Sequence, residues 1–404
     1  MPAAQPDPAQ LFQAIETRRH VALAVSGGSD SVALLRLGSQ WTGAQRLTVL
    51  TVDHGLRAAS KSEAEQVGNW AAGLGLPHVV LRWKPPQPLT GLQAKARAAR
   101  YDLMTGWCTE HGADALLTAH TLEDQAETVL MRLARTSSLD SLAGIHRFSR
   151  WNGIELFRPL LGVKRDSLRA YLNGLGQGWI DDPSNEDERF ERVRIRKALP
   201  VLRDLGITAE GLAELAWRVS DASQSLWGAT DDWVKLHVEI HDTGYCSVPL
   251  DAYSGQTLGL QVRILGWLIS CFGAGKTPEP AELGHLAAWL SIGEVGRRTL
   301  GGALIARRQK VLLIGREAGR IDETRVLVPP AGKLLWDGRF EVRAEAGTHV
   351  VPVRCLEGLP RRRDIPAFVQ NGLPAVVGAG GVVAVPHLGV GSGAEAEFRL
   401  RDGR

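Results

Sequence analysis

The sequence has few cysteines and no long apolar run. Its four cysteines, Cys108, Cys246, Cys271 and Cys355, form no Cys-x-x-Cys pair, which excludes a small disulfide scaffold and favours a reducing compartment. No stretch of about 18 apolar residues exists that would form a transmembrane helix. The N-terminal residues show no basic patch leading into an apolar segment, so we predict no secretory signal and a cytoplasmic location.

Two common nucleotide-binding motifs are also missing. No Gly-x-Gly-x-x-Gly follows the first predicted strand, which disfavours a dinucleotide-binding fold. The tripeptide Gly275-Lys276-Thr277 matches only the end of a Walker A loop, because Ser270 stands where its first glycine belongs. The formal net charge of +3 over 404 residues is too small to indicate a nucleic-acid partner by itself.

Short apolar segments alternate with longer amphipathic ones in the N-terminal part of the chain. The predicted strands are His20–Val25, Leu47–Asp53, His78–Arg82 and Ala115–Ala119, and the predicted helices are Ser31–Gly38, Ser60–Leu76, Gly91–His111 and Glu123–Arg135. Strands without polar alternation, each followed by a helix, predict an α/β fold whose parallel sheet is covered on both faces. Ligands bind such sheets at the carboxyl ends of the strands.

The pattern changes twice further along the chain. Residues 206–298 look helical, and residues 299–404 contain short apolar runs separated by Gly and Pro. We therefore predict three domains: an α/β domain at 1–205, a helical domain at 206–298 and a small β-rich domain at 299–404.

A glycine-rich segment, Ser26-Gly27-Gly28-Ser29-Asp30-Ser31, joins the first predicted strand to the next helix. Two glycines allow a sharp turn that brings backbone N–H groups close to an anion, and the helix N-terminus adds a positive end. The Asp30 carboxylate suits a phosphate site if a Mg²⁺ ion bridges the two. The segment therefore predicts a phosphate-binding loop.

This loop resembles the PP-loop of the N-type ATP pyrophosphatases, and further motifs resemble the tRNA(Ile)-lysidine synthetase family within that superfamily. The matching segments, in family order, are Val52–Arg57, Arg97–Tyr101, Thr118–Thr128, Arg158–Leu161, Trp179–Asn185 and Phe190–Arg196. The resemblance extends over residues 20–200 and continues more weakly at 299–302 and 336–340. It implies a PP-loop catalytic domain at 1–205 and a tRNA-binding role for 206–298.

The resemblance also implies a reaction. ATP adenylates the C2 oxygen of the wobble cytidine of a tRNA(Ile) with a CAU anticodon, and the ε-amine of L-lysine then displaces AMP. The implied cofactors are ATP and Mg²⁺. Whether the protein forms a homodimer is left open. The protein has to position the substrates, neutralise charge on the phosphates and desolvate the amine.

Candidate site residues follow from the resemblance and from their places at the predicted strand ends. Nucleotide binding is assigned to Ser26, Gly27, Gly28, Ser29, Asp30, Ser31, Asp53 and His54, with Asp30 as the Mg²⁺ ligand, and the catalytic candidates are Asp30, Arg100, His120, Asp124 and Glu127. Glu123, Asp124 and Glu127 share a predicted helix face that suits Mg²⁺ or an ammonium group. An acidic first turn favoured by the helix dipole is the alternative explanation.

Arginines dominate the last matching segment. Arg189, Arg192, Arg194 and Arg196 are the candidates for contact with tRNA phosphates. The alternative is an exposed helix whose arginines pair with the neighbouring acids Glu186, Asp187, Glu188 and Glu191.

Two other functions stay open at this point. One is another PP-loop tRNA-modifying enzyme, although a cluster-dependent thiolase would need Cys-x-x-Cys pairs. The other is a non-catalytic RNA-binding module with a decayed nucleotide site. Exchange between ATP and pyrophosphate that depends on tRNA would distinguish the enzyme from the module.

Overall fold

The computed structural model describes residues 5–55, 60–83, 92–135, 138–181 and 187–401. The chain divides into two compact units, Met1–Ser223 and Gln224–Arg404. The motif residues 56–57 and 182–185, and Gly91 at the start of a predicted helix, lie outside the described residues. Within the ranges described, no helix is both long and apolar enough to cross a membrane.

Helices and strands alternate in the first unit, as the sequence predicts. Its helices are α1 (Pro8–Phe12), α2 (Ser29–Ser39), α3 (Ser60–Gly73), α4 (Leu92–His111), α5 (Leu122–Leu133), α6 (Leu139–Leu142), α7 (Arg165–Gly174), α8 (Glu191–Asp204) and the start of α9 (Ala209–His237). Its strands are β1 (Val21–Ala24), β2 (Leu47–Asp53), β3 (His78–Arg82), β4 (Ala115–Leu117), β5 (Phe148–Trp151) and β6 (Ile154–Phe157). The predicted elements between residues 20 and 135 are all present, with some ends shifted by a few residues.

The six strands form one sheet in the order β3-β2-β1-β4-β6-β5, parallel except for the edge pair β5–β6. Leu23 and Val49 face one apolar core, and Ala22 and Leu50 face another on the opposite side of the sheet. Both faces of β1 and β2 are therefore buried, which explains why these strands lack polar alternation. The predicted α/β fold with a parallel sheet is confirmed.

Strand β1 lies between β2 on one side and β4 on the other. After β1 the chain first forms β2 on one side of that strand, and it later forms β4 on the other side. Such a reversal opens a crevice at the carboxyl ends of the strands, which is where ligands bind in open α/β sheets. The predicted phosphate loop follows β1 directly at this crevice.

The second unit combines helices with antiparallel sheets. Its further helices are α10 (Leu250–Ser254), α11 (Leu258–Phe272), α12 (Pro280–Ile292) and α13 (Ala367–Gln370). Its strands are β7 (Glu239–His241), β8 (Tyr245–Pro249), β9 (Gly296–Leu300), β10 (Ala303–Arg307), β11 (Val311–Arg316), β12 (Val326–Leu327), β13 (Lys333–Trp336), β14 (Phe340–Ala344), β15 (His349–Pro352), β16 (Pro374–Gly378), β17 (Gly381–Val385), β18 (Val390–Gly391) and β19 (Ala394–Phe398).

The domain boundaries proposed from the sequence differ from these units. The first compact unit ends at Ser223 instead of 205, within α9. The boundary at 298/299 falls inside β9, and β9 belongs to the sheet β7-β8-β11-β10-β9. Residues from both sides of that boundary also share one apolar core, to which α11, α12 and β10 contribute. The difference arises because strands β7 and β8 lie within the segment that looks helical in sequence.

Candidate active site

The predicted phosphate loop is held in shape by the hydroxyl of Ser31. This oxygen accepts hydrogen bonds from the backbone N–H groups of Ser26 (3.2 Å) and Gly27 (3.1 Å), and it donates one to the carbonyl of Gly28 (2.9 Å). Ser31 itself is buried in the first turn of α2. The loop therefore wraps around a side chain of the helix that it opens, which places the helix N-terminus at the same point.

Gly27 has a conformation that requires glycine. Its φ is +95°, and a Cβ atom added here would lie 2.7 Å from Cδ1 of Ile180. The Ile180 N–H donates a 2.9 Å hydrogen bond to the Gly27 carbonyl. The left-handed backbone favours glycine at this position, and the terminal methyl of Ile180 would have to shift to admit a Cβ atom.

Strand β2 ends beside the loop. Thr51 donates a 2.9 Å hydrogen bond to the carbonyl of Val25, which joins the two neighbouring strand ends. At the end of β2, Asp53 accepts hydrogen bonds from the Ser60 hydroxyl (2.6 Å) and the Gly55 N–H (2.9 Å). The Ser60 bond, followed by the Gly55 bond, holds the pKa of Asp53 below its usual range.

The carboxylate of Asp30 is bound by an arginine from a distant helix. Nε of Arg165 lies 2.9 Å from Oδ2 of Asp30, and the Ser29 hydroxyl donates to Oδ1 at 3.2 Å. The same guanidinium lies 3.6 Å from Asp124 and 3.9 Å from Glu127. Burial opposes the charge on Arg165, but these three carboxylates together raise the pKa of its side chain above the ordinary value. Arg165 thus joins the loop to the acidic face of α5.

Two carboxylates of α5 also fix the local backbone. Asp124 accepts from the N–H of Thr121 at 2.9 Å, and Thr121 caps the helix in return. Glu123 accepts a 2.9 Å hydrogen bond from the backbone N–H of Arg165 at the start of α7. Burial would raise the pKa of Asp124, but Arg165 in particular keeps that pKa below its usual range. These acids therefore stabilise the start of the helix, in agreement with the alternative explanation for the acidic first turn, and this does not conflict with a binding role.

Glu127 is completely buried and faces arginines of α8. Nε of Arg196 lies 2.8 Å from its Oε1, and Nε of Arg192 lies 3.0 Å from its Oε2. Burial raises the pKa of Glu127, although the hydrogen bond from Arg196 acts against this. Arg192 and Arg196, proposed from sequence for tRNA phosphates, thus form ion pairs with a buried carboxylate while about a third of each side chain stays exposed.

The other two arginines of this segment lie at the surface. Arg189 pairs with Asp187, and Arg194 donates to the backbone carbonyls of Glu188 and Arg189. Both side chains are exposed. They have the accessibility that contact with a nucleic-acid backbone requires.

His120 follows β4 and lies close to α5. Its Nδ1 is 2.9 Å from the Thr118 hydroxyl. Burial lowers the pKa of His120 to about 3; Asp124 opposes this and Arg158 reinforces it. The imidazole is therefore neutral at neutral pH, so it acts there as a hydrogen-bonding group.

Arg100 lies in α4 with its guanidinium largely withdrawn from solvent. Burial lowers the pKa of Arg100, and its neighbour Arg97 acts in the same direction. Its buried Nε has no hydrogen-bond partner within the described structure. A buried donor without a partner is costly, and binding an anion would remove this cost.

A metal site formed by protein groups alone is not present in the described part of the chain, where no group of three or more His, Cys, Asp and Glu side chains is arranged to hold a metal ion. Asp30 is the carboxylate of the loop, and its Oδ2 is engaged by Arg165. A Mg²⁺ ion here would have to draw most of its ligands from phosphate oxygens and water, which is the usual arrangement for this ion.

Sequence reasoning missed Arg165. It stands 135 positions from Asp30 and belongs to none of the motif segments. The only sequence signal is its place at the start of an amphipathic helix directly after the Arg158–Leu161 motif. Its contacts depend on the packing of α7 against α2 and α5, which the local pattern does not specify.

Comparisons with known proteins identify the family of this chain. A family model described as a PP-loop domain matches residues 3–202. A tRNA(Ile)-lysidine synthase of Ruegeria pomeroyi is 36% identical over 94% of this chain and 91% of its own length. Those of Bradyrhizobium diazoefficiens and Rhodopseudomonas palustris are 42% and 39% identical, covering 70% and 79% of this chain and 80% and 93% of their own lengths. This chain therefore belongs to the tRNA(Ile)-lysidine synthase family, with an N-terminal PP-loop domain.

Proposed function

We propose that the protein converts the wobble cytidine of a tRNA(Ile) with a CAU anticodon into lysidine, at the expense of ATP and L-lysine. The observation that supports this most directly is the cluster built around Arg165. It joins the phosphate loop, through Asp30, to the carboxylates Asp124 and Glu127 of α5. This arrangement supports a nucleotide site and an acidic site for an amine side by side at the carboxyl ends of the strands.

The first step is transfer of the adenylyl group. The C2 oxygen of cytosine attacks the α-phosphorus of ATP, the bond to the β-phosphate oxygen breaks, and pyrophosphate leaves. Residues 26–31 would hold the phosphates through backbone N–H groups, serine hydroxyls and the N-terminus of α2. Asp30 would hold Mg²⁺ together with phosphate oxygens, and the ion supplies neutralisation of the charge on pyrophosphate.

In the second step the lysine ε-amine attacks C2, and the C2–O bond to AMP breaks. Lysine arrives as an ammonium ion, so a carboxylate suits its binding, and the amine has to lose a proton before it attacks. Asp124 and Glu127 are the candidates for binding it. Neutral His120 and the buried guanidinium of Arg100 are suited to hydrogen bonding with the substrates and to charge stabilisation of the leaving AMP.

Contact with tRNA is assigned to the α8 region. Arg189 and Arg194 are exposed and offer guanidinium groups to phosphates. Arg192 and Arg196 contribute through the exposed part of each side chain while they remain paired with Glu127. A cytoplasmic location and a homodimer stay predictions.

The decisive experiment incubates the purified protein with tRNA(Ile) of CAU anticodon, ATP, Mg²⁺ and labelled lysine. Label is expected in the tRNA, together with equimolar AMP and pyrophosphate. Labelling from a sulfur donor or another amino acid instead would overturn the substrate assignment. An Asp30→Ala protein should lose adenylation while it retains tRNA binding, which separates the nucleotide site from the tRNA contacts.

A further inference from the structure

Arg165 forms ion pairs with carboxylates of both proposed substrate sites. Only 15% of its side chain is exposed, and its guanidinium lies within 4 Å of Asp30, Asp124 and Glu127. No other cation in the described residues pairs with both Asp30 and a carboxylate of α5. A change in the charge at Asp30 therefore alters how strongly Arg165 interacts with the α5 carboxylates.

The α5 carboxylates are already compensated in this structure. Asp124 faces Arg165, and Glu127 faces Arg165, Arg192 and Arg196. A lysine ammonium arriving at these carboxylates would meet a guanidinium of the same charge. Its binding there becomes favourable when a cation withdraws, because like charges at this separation and burial repel strongly.

Nucleotide binding supplies a reason for Arg165 to withdraw. Phosphates in the loop bring negative charge next to Asp30, and a guanidinium binds phosphate oxygens with two parallel hydrogen bonds. A Mg²⁺ ion at Asp30 would in addition repel the guanidinium from its present position. The backbone of Arg165 is fixed by the 2.9 Å hydrogen bond from its N–H to Glu123, so the side chain can change partner while the helix start stays in place.

We propose that Arg165 is a positioning residue that couples the ATP site to the lysine site. With the loop empty, its guanidinium pairs with Asp30, Asp124 and Glu127. When Mg-ATP binds, the guanidinium moves to the phosphates, and Asp124, which then loses its ion pair with Arg165, takes the lysine ammonium. This inference rests on the proposed function, and it adds that nucleotide and lysine bind cooperatively through Arg165.

Thermodynamic linkage makes the inference measurable. If nucleotide raises the affinity for lysine by a given factor, lysine raises the affinity for nucleotide by the same factor. Lysine binding is measured by calorimetry with tRNA(Ile) present, with and without Mg²⁺ and α,β-methylene-ATP, whose α–β linkage is not cleaved. The wild type should bind lysine at least about fivefold more tightly with the analogue, within the usual range of such couplings.

Substitutions at Arg165 should remove this coupling. In Arg165→Gln, the analogue should change lysine affinity by less than about twofold, since the shared cation is gone. Arg165→Lys keeps the charge but has no fork that spans two carboxylates, so an intermediate factor is expected. If Arg165→Gln does not fold, Arg165→Lys alone tests the coupling. A wild-type coupling factor in Arg165→Lys would overturn the inference.

Arg169→Gln is the matched control. Arg169 lies one turn later on the same helix, and its guanidinium lies over the Trp179 ring. This variant should keep the wild-type coupling factor. Independent binding of lysine and nucleotide to the wild type would refute the coupling and leave the proposed function intact. Failure of the wild type to bind either ligand would instead count against the proposed function.

Discussion

The N–H of Ile180 donates a 2.9 Å hydrogen bond to the carbonyl oxygen of Gly27, and the Ile180 side chain occupies the space where a Cβ of residue 27 would lie. The segment that follows α7 therefore covers the backbone of the phosphate loop. A turn with φ of +95° is held from outside by this contact and from inside by the Ser31 hydroxyl. The loop is thus preorganised without a ligand, which reduces the cost of ordering it on binding.

Gly27→Ala should destabilise the protein and weaken ATP binding. The left-handed backbone alone costs about 1–2 kcal/mol for alanine, and contact with Ile180 adds to this. The free energy of unfolding in urea and equilibrium ATP binding are the measurements. Gly28→Ser is the control, because Gly28 has an extended conformation, open space around its Cα and the N-cap position of α2, which serine favours. Equal stability of the two variants would contradict this account of the turn.

Ser31→Ala should lower stability by about 1–3 kcal/mol, because two loop N–H groups lose their acceptor in a buried place. ATP affinity should fall as well, since the backbone of the loop would no longer be held in a fixed conformation. Ser39→Ala removes a comparable hydroxyl, bonded to the Arg36 carbonyl at the other end of α2. That control should keep wild-type ATP affinity; a similar loss in both would show that the effect is one of helix stability alone.

The arginines in and just before α8 should separate into two classes. Arg189→Gln and Arg194→Gln should weaken tRNA binding and lower the slope of log K against log salt by about 1 each. Arg196→Gln should lower this slope less, because Arg196 is only partly exposed, and it should also reduce the free energy of unfolding by about 1–3 kcal/mol, because it removes a charged hydrogen bond to buried Glu127.

Filter binding across a salt series and urea unfolding measure the two effects. Lys197→Gln serves as a control for charge alone, since Lys197 pairs with exposed Glu188. If Arg196→Gln lowers the salt slope as much as Arg189→Gln and leaves stability unchanged, the Glu127 pairing has no structural role.

Acid should destabilise the protein in part through His120. Burial lowers the pKa of this residue from its ordinary value of 6.5 to about 3 in the folded protein. The unfolded state therefore binds the extra proton between these values, and stability falls as the pH drops below 6.5, by at most about 1.4 kcal/mol per pH unit. In His120→Gln the loss of stability between pH 7 and pH 5 should be smaller than in the wild type. Parallel curves for the two proteins would show that His120 is protonated as easily folded as unfolded.

Much of the first unit was predictable from local pattern. Strands β2 and β3 appear with the predicted bounds, and the phosphate loop is located between β1 and α2 as expected. These features depend on apolar runs and on glycine at turns, which are local properties. The strands β7 and β8 were not anticipated, since they are short and enclosed by helical segments. Strand β7 pairs with β8, and β8 pairs with β11, which is a long-range contact.

The partners of the site residues were less predictable. The spacing of Arg192 and Arg196 indicates that they share a helix face, but it does not say whether that face meets solvent or a buried carboxylate. The same holds for Asp30, whose pairing with Arg165 joins residues far apart in the chain. Charge pairing of this kind depends on which helices pack together.

The order of residues along the chain determined the loop, the alternating strands and helices, and the motifs of the family, because glycine conformations and apolar periodicity act over a few residues. Only the tertiary structure decided that Arg165 would stand between Asp30 and the α5 carboxylates, and that Glu127 would be buried against Arg192 and Arg196. Electrostatic interactions act through space, and burial strengthens them. Which charged groups pair is therefore set by the packing of α2, α5, α7 and α8 at the carboxyl ends of the strands.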